Sequence, residues 1–149
     1  MRLSLLRNVA AAALLGGATL LPAMSAAWAA ETVAVELVGE RGGEMAVNLD
    51  KSEVPAGEVT FKVVNAARDT PHEMIMVRVD DAGKELVVDP ATEKVDESAL
   101  NDLGEVDGLK AGESGELAVT LEPGSYKLIC NLKGHVMAGM VADFTVSAS

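Results

Sequence analysis

Residues 130–140 read CNLKGHVMAGM, and these eleven residues hold the only cysteine of the chain, one of its two histidines and two of its seven methionines. They lie between two stretches that read as strands, SYKLIC (125–130) and MVADFTV (140–146), so the segment is a loop closing a hairpin at one end of a sheet. Cys130 then ends one strand and Met140 begins the next. Upstream, GELAVTL (115–121) joins the first of these strands through Glu122-Pro123-Gly124, a tight-turn sequence. Nearer the N-terminus, ETVAVELVG (31–39) alternates Val33, Val35 and Leu37 with other residues, and EMAVNLD (44–50) keeps the period of two. Pro55 and Gly57 mark a turn before EVTFKVVN (58–65), which aims Val59, Phe61 and Val63 inward, and HEMIMVRV (72–79) follows a short loop. About seven short strands in one domain predict an all-β fold, a Greek-key antiparallel β-sandwich.

One stretch breaks the pattern. In DPATEKVDESALNDLGEVDG (89–108), Asp89 can cap, Pro90 can take the first helical position, Val95, Ala99 and Leu103 share a face, and Gly104 can end the run. The expectation is one short helix inserted across the sandwich. From Glu93 to Asp107 it carries six acidic residues against Lys94, a solvated face or a patch for a basic partner.

The first 29 residues differ in kind. Arg2 and Arg7 precede an apolar run that ends in Ala27-Trp28-Ala29, the pattern of a secretory signal peptide cut after Ala29. Gly16, Gly17 and Pro22, with no charged stop beyond the run, argue against a retained membrane anchor. The expected mature chain is a single domain over residues 30–149, exported to the periplasm, monomeric and not inserted in a membrane. It carries 10 basic and 23 acidic residues, a formal charge of −13, so nucleic acid and anionic lipid are poor partners and a basic protein surface is a better one.

In an oxidising compartment a lone thiol needs protection or use. Cys130, His135 and Met140 follow the spacing C-x4-H-x4-M, and a hairpin loop of that size can turn all three side chains toward one centre. His72, the only other histidine, follows Pro71 at a loop-to-strand boundary, where a fourth donor is needed. A soft thiolate, borderline imidazoles and a weak thioether together favour copper over hard cations. Two histidines and a cysteine with a long axial methionine compose a blue-copper electron-transfer site. Each residue alone would read as core packing, but packing does not explain why every cysteine and histidine falls where one site requires it. A Cys130–His135 hydrolase leaves His72 and Met140 without a role, and zinc takes a thioether poorly.

With these residues in place the chain resembles the cupredoxins. CNLKGHVMAGM is similar to the C-terminal ligand loop of plastocyanin- and azurin-like proteins, and VVNAARDTPHEM (63–74) to the segment that supplies their first ligand. The resemblance runs from about Thr32 to Val146. It implies one type 1 copper ion held by His72, Cys130, His135 and Met140, no enzymatic role, and redox proteins as partners. Met140 is expected as the axial donor over Met137, because the Gly139-Met140 step matches the family and precedes a strand. Two departures bear on the site. Glu73 stands where better-known members have Asn, putting in question the side-chain bond that ties their ligand loops, although its backbone N–H can still reach the thiolate. Lys133 stands where many have Pro, implying a looser loop with a positive charge near the metal. Met74 and Met76 fall on the same side of their strand as His72, as core packing or as an apolar lining for copper in transit. A periplasmic one-electron carrier is the expected function. A copper-tolerance protein that buffers or delivers the ion is the alternative.

Overall fold

The computed structural model describes residues 30–79 and 86–148; the expected signal peptide lies outside the described residues. Two sheets face each other. The first contains β1 (Glu31–Gly39), β2 (Met45–Leu49), β4 (Gly57–Asn65) and β9 (Ser114–Leu121), in the order β2-β1-β4-β9. The second contains β3 (Glu53–Pro55), β5 (His72–Val79), β8 (Asn101–Leu109), β10 (Gly124–Ile129) and β11 (Val141–Ser147), in the order β3-β11-β10-β5-β8. The all-β Greek-key sandwich is as expected, but its sheets are mixed. β1 runs parallel to β4, and β3 parallel to β11. Between β1 and β4 the chain crosses to the other sheet to form β3, so β4 returns by a crossover and not by a hairpin, and a crossover allows parallel pairing.

The alternation predicted for β1 and β4 is observed: Val33, Val35, Leu37, Val59, Phe61 and Val63 are buried between the sheets. They meet Leu128, Phe144 and Val146 from the opposite sheet, and the Phe61 and Phe144 rings pack edge to face with centroids 5.2 Å apart. β5 is buried on both faces. Its Met74 and Met76 join the core, while Ile75, Val77 and Val79 form a smaller cluster on the outer face with Ile129. At the far end from the hairpin loop, the Tyr126 hydroxyl donates to the Glu122 carbonyl at 2.6 Å, pinning the turn before β10.

The inserted helix is not formed. Residues 88–100 instead make a small β-ribbon, β6 (Val88–Asp89) with β7 (Lys94–Val95), and one 3-10 turn at Glu97–Ala99; from Asn101 the chain is strand β8. The capping chemistry is real but serves turns: Asp89 accepts from the Ala91 N–H at 2.8 Å and Asp96 from Ser98 N–H at 3.0 Å. Pairing with β5 wins over helix propensity, because β8 offers Val106 and Leu109 to the main core. Gly104, expected as a helix stop, lies within β8 at φ 138°, where a Cβ would stand 2.8 Å from a Leu117 methyl. Its missing side chain lets the two sheets close at this edge.

Candidate metal centre

His72 opens β5, and its ring is fully buried. Nε2 lies 3.1 Å from the Gly39 carbonyl at the end of β1. A carbonyl only accepts, so Nε2 carries the hydrogen and Nδ1 is left as a bare donor facing inward. Metal-binding histidines are held in this way by a carbonyl or carboxylate on the far nitrogen. Burial holds the pKa of His72 below the ordinary value, opposed by the Gly39 bond and the charge of Glu40, which keeps the imidazole neutral.

Cys130 follows the last residue of β10, and its N–H donates to the Met140 carbonyl at 3.1 Å, closing the ligand loop at its base. The sulfur is fully buried and accepts from the Glu73 N–H at 3.4 Å. Burial pushes the thiol pKa up to about 11, against the smaller opposing effect of the backbone N–H groups of Glu73 and Leu132. Such a sulfur stays protonated at neutral pH unless a cation is bound to it.

His135 is 5% exposed, and its pKa falls to about 4 through burial first and then the nearby His72 and Arg41. Its Nδ1 lies 3.3 Å from the Cys130 sulfur and 3.2 Å from Nδ1 of His72, and the third side of the triangle, His72 Nδ1 to sulfur, is 3.9 Å. A d-block ion bonded at about 2.0 Å to nitrogen and about 2.3 Å to sulfur in a trigonal plane needs edges of roughly 3.5–3.7 Å. The three donors already stand within a few tenths of an ångström of that size. Both histidines were expected to converge on the cysteine, and they do.

The loop from Cys130 to Met140 is wound as consecutive turns: His135 N–H donates to Leu132 O at 2.9 Å, Ala138 to Gly134 O at 3.0 Å and Met140 to His135 O at 3.0 Å. Gly139, at φ 108°, is required here, since a Cβ would sit 2.6 Å from the Met45 carbonyl oxygen. Met140 is fully buried after this glycine, whereas Met137 is 66% exposed. Met74 and Met76 are fully buried in the core.

The tie between the ligand loops, put in question by Glu73, is present. The Glu73 carboxylate, buried and with its pKa raised by that burial, accepts from the Asn131 N–H at 3.0 Å. Asn131 is a residue the sequence reading missed. Its side chain imitates a strand, accepting from Val95 N–H at 2.7 Å and donating to Val95 O at 2.9 Å, with a further bond to Glu97 at 2.8 Å. The ribbon also holds the loop through Glu93 O, which accepts from Gly134 N–H at 2.9 Å, and the Lys133 ammonium stands 4.0 Å from the Glu93 carboxylate. The loosening expected from Lys133 is offset by these bonds. An Asn directly after the ligand cysteine was the available signal; nothing in the sequence marked the Gly39 carbonyl.

His72, Cys130, His135 and Met140 together form the arrangement of a type 1 copper site. Comparison with known proteins agrees. Among solved structures, auracyanin from the photosynthetic bacterium Roseiflexus castenholzii is 22% identical with a TM-score of 0.53 over 79% of this chain and 96% of its own. Auracyanin B is 28% identical with a TM-score of 0.56 over 78% and 88%. Rusticyanin from Thiobacillus ferrooxidans reaches a TM-score of 0.60 at 14% identity over 79% and 77%. No curated protein matches the sequence. The profile of copper-binding proteins of the plastocyanin/azurin family matches residues 33–147, the whole sandwich with its ligand loop, and the chain belongs to that family, the cupredoxins.

Proposed function

We propose that the protein is a periplasmic one-electron carrier, in which His72, Cys130 and His135 hold copper in a plane and Met140 is the axial donor. When bound, copper supplies the cuprous–cupric couple. The buried triangle of donors carries this reading. Each vertex is fixed separately: His72 by Gly39, Cys130 by Glu73 and Met140, and His135 by the wound loop. Donors held this way move little between oxidation states, which keeps the reorganisation of a transfer small. The buried surroundings keep water from the sulfur.

His135 also lines the floor of a surface groove, so its outer ring edge is the exit for the electron. The burial of Met140 and the exposure of Met137 support the choice of axial donor. The copper-buffering alternative drew on Met74 and Met76 as a path for the ion; both are sealed in the core, so they offer no route to the surface. A hydrolase would need an accessible thiolate, and this sulfur is buried with its pKa near 11. No helix among the described residues is long and apolar enough to cross a membrane.

The copper-loaded protein is expected to show an intense thiolate-to-copper visible band and a type 1 paramagnetic-resonance spectrum. Cys130→Ser is expected to abolish both. A colourless wild-type protein with one cupric ion bound per chain would overturn the assignment.

A further inference from the structure

Resting on the carrier reading, we propose that the redox partner meets the groove beside His135 with an acidic surface, its carboxylates flanking its own redox centre. Net charge alone points the other way, since residues 30–149 sum to −13. The distribution of that charge decides the matter.

Four loops meet at the metal end: 40–44, 66–71, 110–113 and 131–140. They are tied together by Arg41 N–H to Thr70 Oγ1, Met45 N–H to Ala138 O and Gly112 N–H to Asn65 O. They carry four cationic residues, Arg41, Arg68, Lys110 and Lys133, and four carboxylates, Glu40, Glu44, Asp69 and Glu113, which sum to zero. The whole net negative charge therefore lies outside these loops.

Beside His135 the balance is positive. The groove there, about 670 Å³, is lined by Arg41 and Lys133 with Glu93 as its single carboxylate. Glu93 stands 4.0 Å from Lys133, and Arg41 forms no ion pair among the described residues. Gly42, Gly43 and Gly134 line the same groove and leave it open to a close approach.

At physiological salt the Debye length is about 8 Å, so charges on the far strands are largely screened from a partner seated on the groove. Contact is then governed by the metal-end loops, which sum to zero, and by the groove itself, where Arg41 and Lys133 face one carboxylate, Glu93. Like charges brought together at an interface repel, which disfavours a basic partner here. Such a partner would be drawn instead to the acidic strands, away from the exit edge of His135. The acidic strands thus act against the wrong docking orientation, and the metal end admits the right one.

Two inorganic oxidants of opposite charge test this on the copper-loaded protein. Ferricyanide, a trianion, and tris(phenanthroline)cobalt(III), a trication, each take one electron from the cuprous protein, giving cupric protein and the reduced complex. The readout is the ratio of the two second-order rates at about 0.1 M ionic strength. The double variant Arg41→Gln/Lys133→Gln is expected to lower the anion-to-cation ratio about tenfold. Lys51→Gln/Lys62→Gln removes the same charge from elsewhere on the sandwich and is expected to change it less than about twofold. Equal shifts in the two double variants, or no shift in the first, would overturn the proposal. Failure of the carrier reading looks different: a wild-type protein lacking the visible band sinks that reading, and the docking surface with it, before any ratio is measured.

Discussion

Only Ala138 and Gly139 separate Met137 from Met140, and the ligand loop sends the two methionines in opposite directions. Met140 is fully buried below Gly139, its carbonyl accepting from Cys130 and its N–H donating to His135; Met137 is 66% exposed. Replacing the axial thioether with a hydrocarbon removes electron donation that favours the cupric state, so Met140→Leu is expected to raise the reduction potential and keep the visible band. A tenfold change in relative affinity for the two oxidation states is about 59 mV for one electron, and an increase on that order is expected. Met137→Leu is expected to leave both colour and potential unchanged. Voltammetry on the two variants checks the assignment, and the reverse pattern would move the axial role to Met137. The ligands themselves were legible because cysteine and histidine are so rare in this chain that their positions could be weighed as a set. The groups that aim them were not legible, since the Gly39 carbonyl belongs to the backbone and reaches His72 only because the end of β1 meets the start of β5 across the two sheets.

The ribbon β6–β7 is the element that the sequence misrepresented. Asp89, Pro90 and the spacing of Val95, Ala99 and Leu103 satisfy the local rules for a helix, but those rules say nothing of the open edge of β5, which needs a partner strand. Once β8 takes that edge, the residues before it pair with each other as β6 and β7. They fold back over the ligand loop, where Asn131 receives them as a strand would. By contrast, the core strands β1 and β4 were legible residue by residue, because Val33, Val35 and Leu37 on one and Val59, Phe61 and Val63 on the other alternate inward, and the period of two admits only one register. Asn131→Ala would leave Val95 N–H and O unpaired in a buried setting, a loss of about 2–4 kcal/mol. Denaturation of the copper-free variant is expected to show that loss. In the copper-loaded variant, freeing the ribbon from the loop is expected to shift the visible band, whereas a ribbon with no part in holding the loop would leave the spectrum as in the wild type.

For the folded domain as a whole, the site is a liability until it is filled. Two neutral imidazoles and a protonated thiol are buried against one another at the end of the sandwich. The pKa of His135 drops from 6.5 to about 4 and that of His72 also falls. In the unfolded chain both imidazoles take up protons near the ordinary value, while in the folded, copper-free protein they resist doing so. The unfolded state therefore binds more protons as the pH drops below 6.5, and stability is lost between that value and about 4. His135 contributes on the order of 2 kcal/mol to this loss after allowance for solvent screening. Glu73 works against it, since burial raises its pKa and a protonated carboxyl is the form the interior prefers. Denaturant melts of the copper-free protein from pH 7.5 to 4 are expected to show the decline, and His135→Gln is expected to flatten part of it. Bound copper holds both imidazoles deprotonated, so the loaded protein should keep its stability to a lower pH and then lose metal and fold together. Melts of the loaded and copper-free forms that decline over the same pH range would show that protons and metal do not compete for these nitrogens, which the 3.2 Å separation of the two Nδ1 atoms requires them to do.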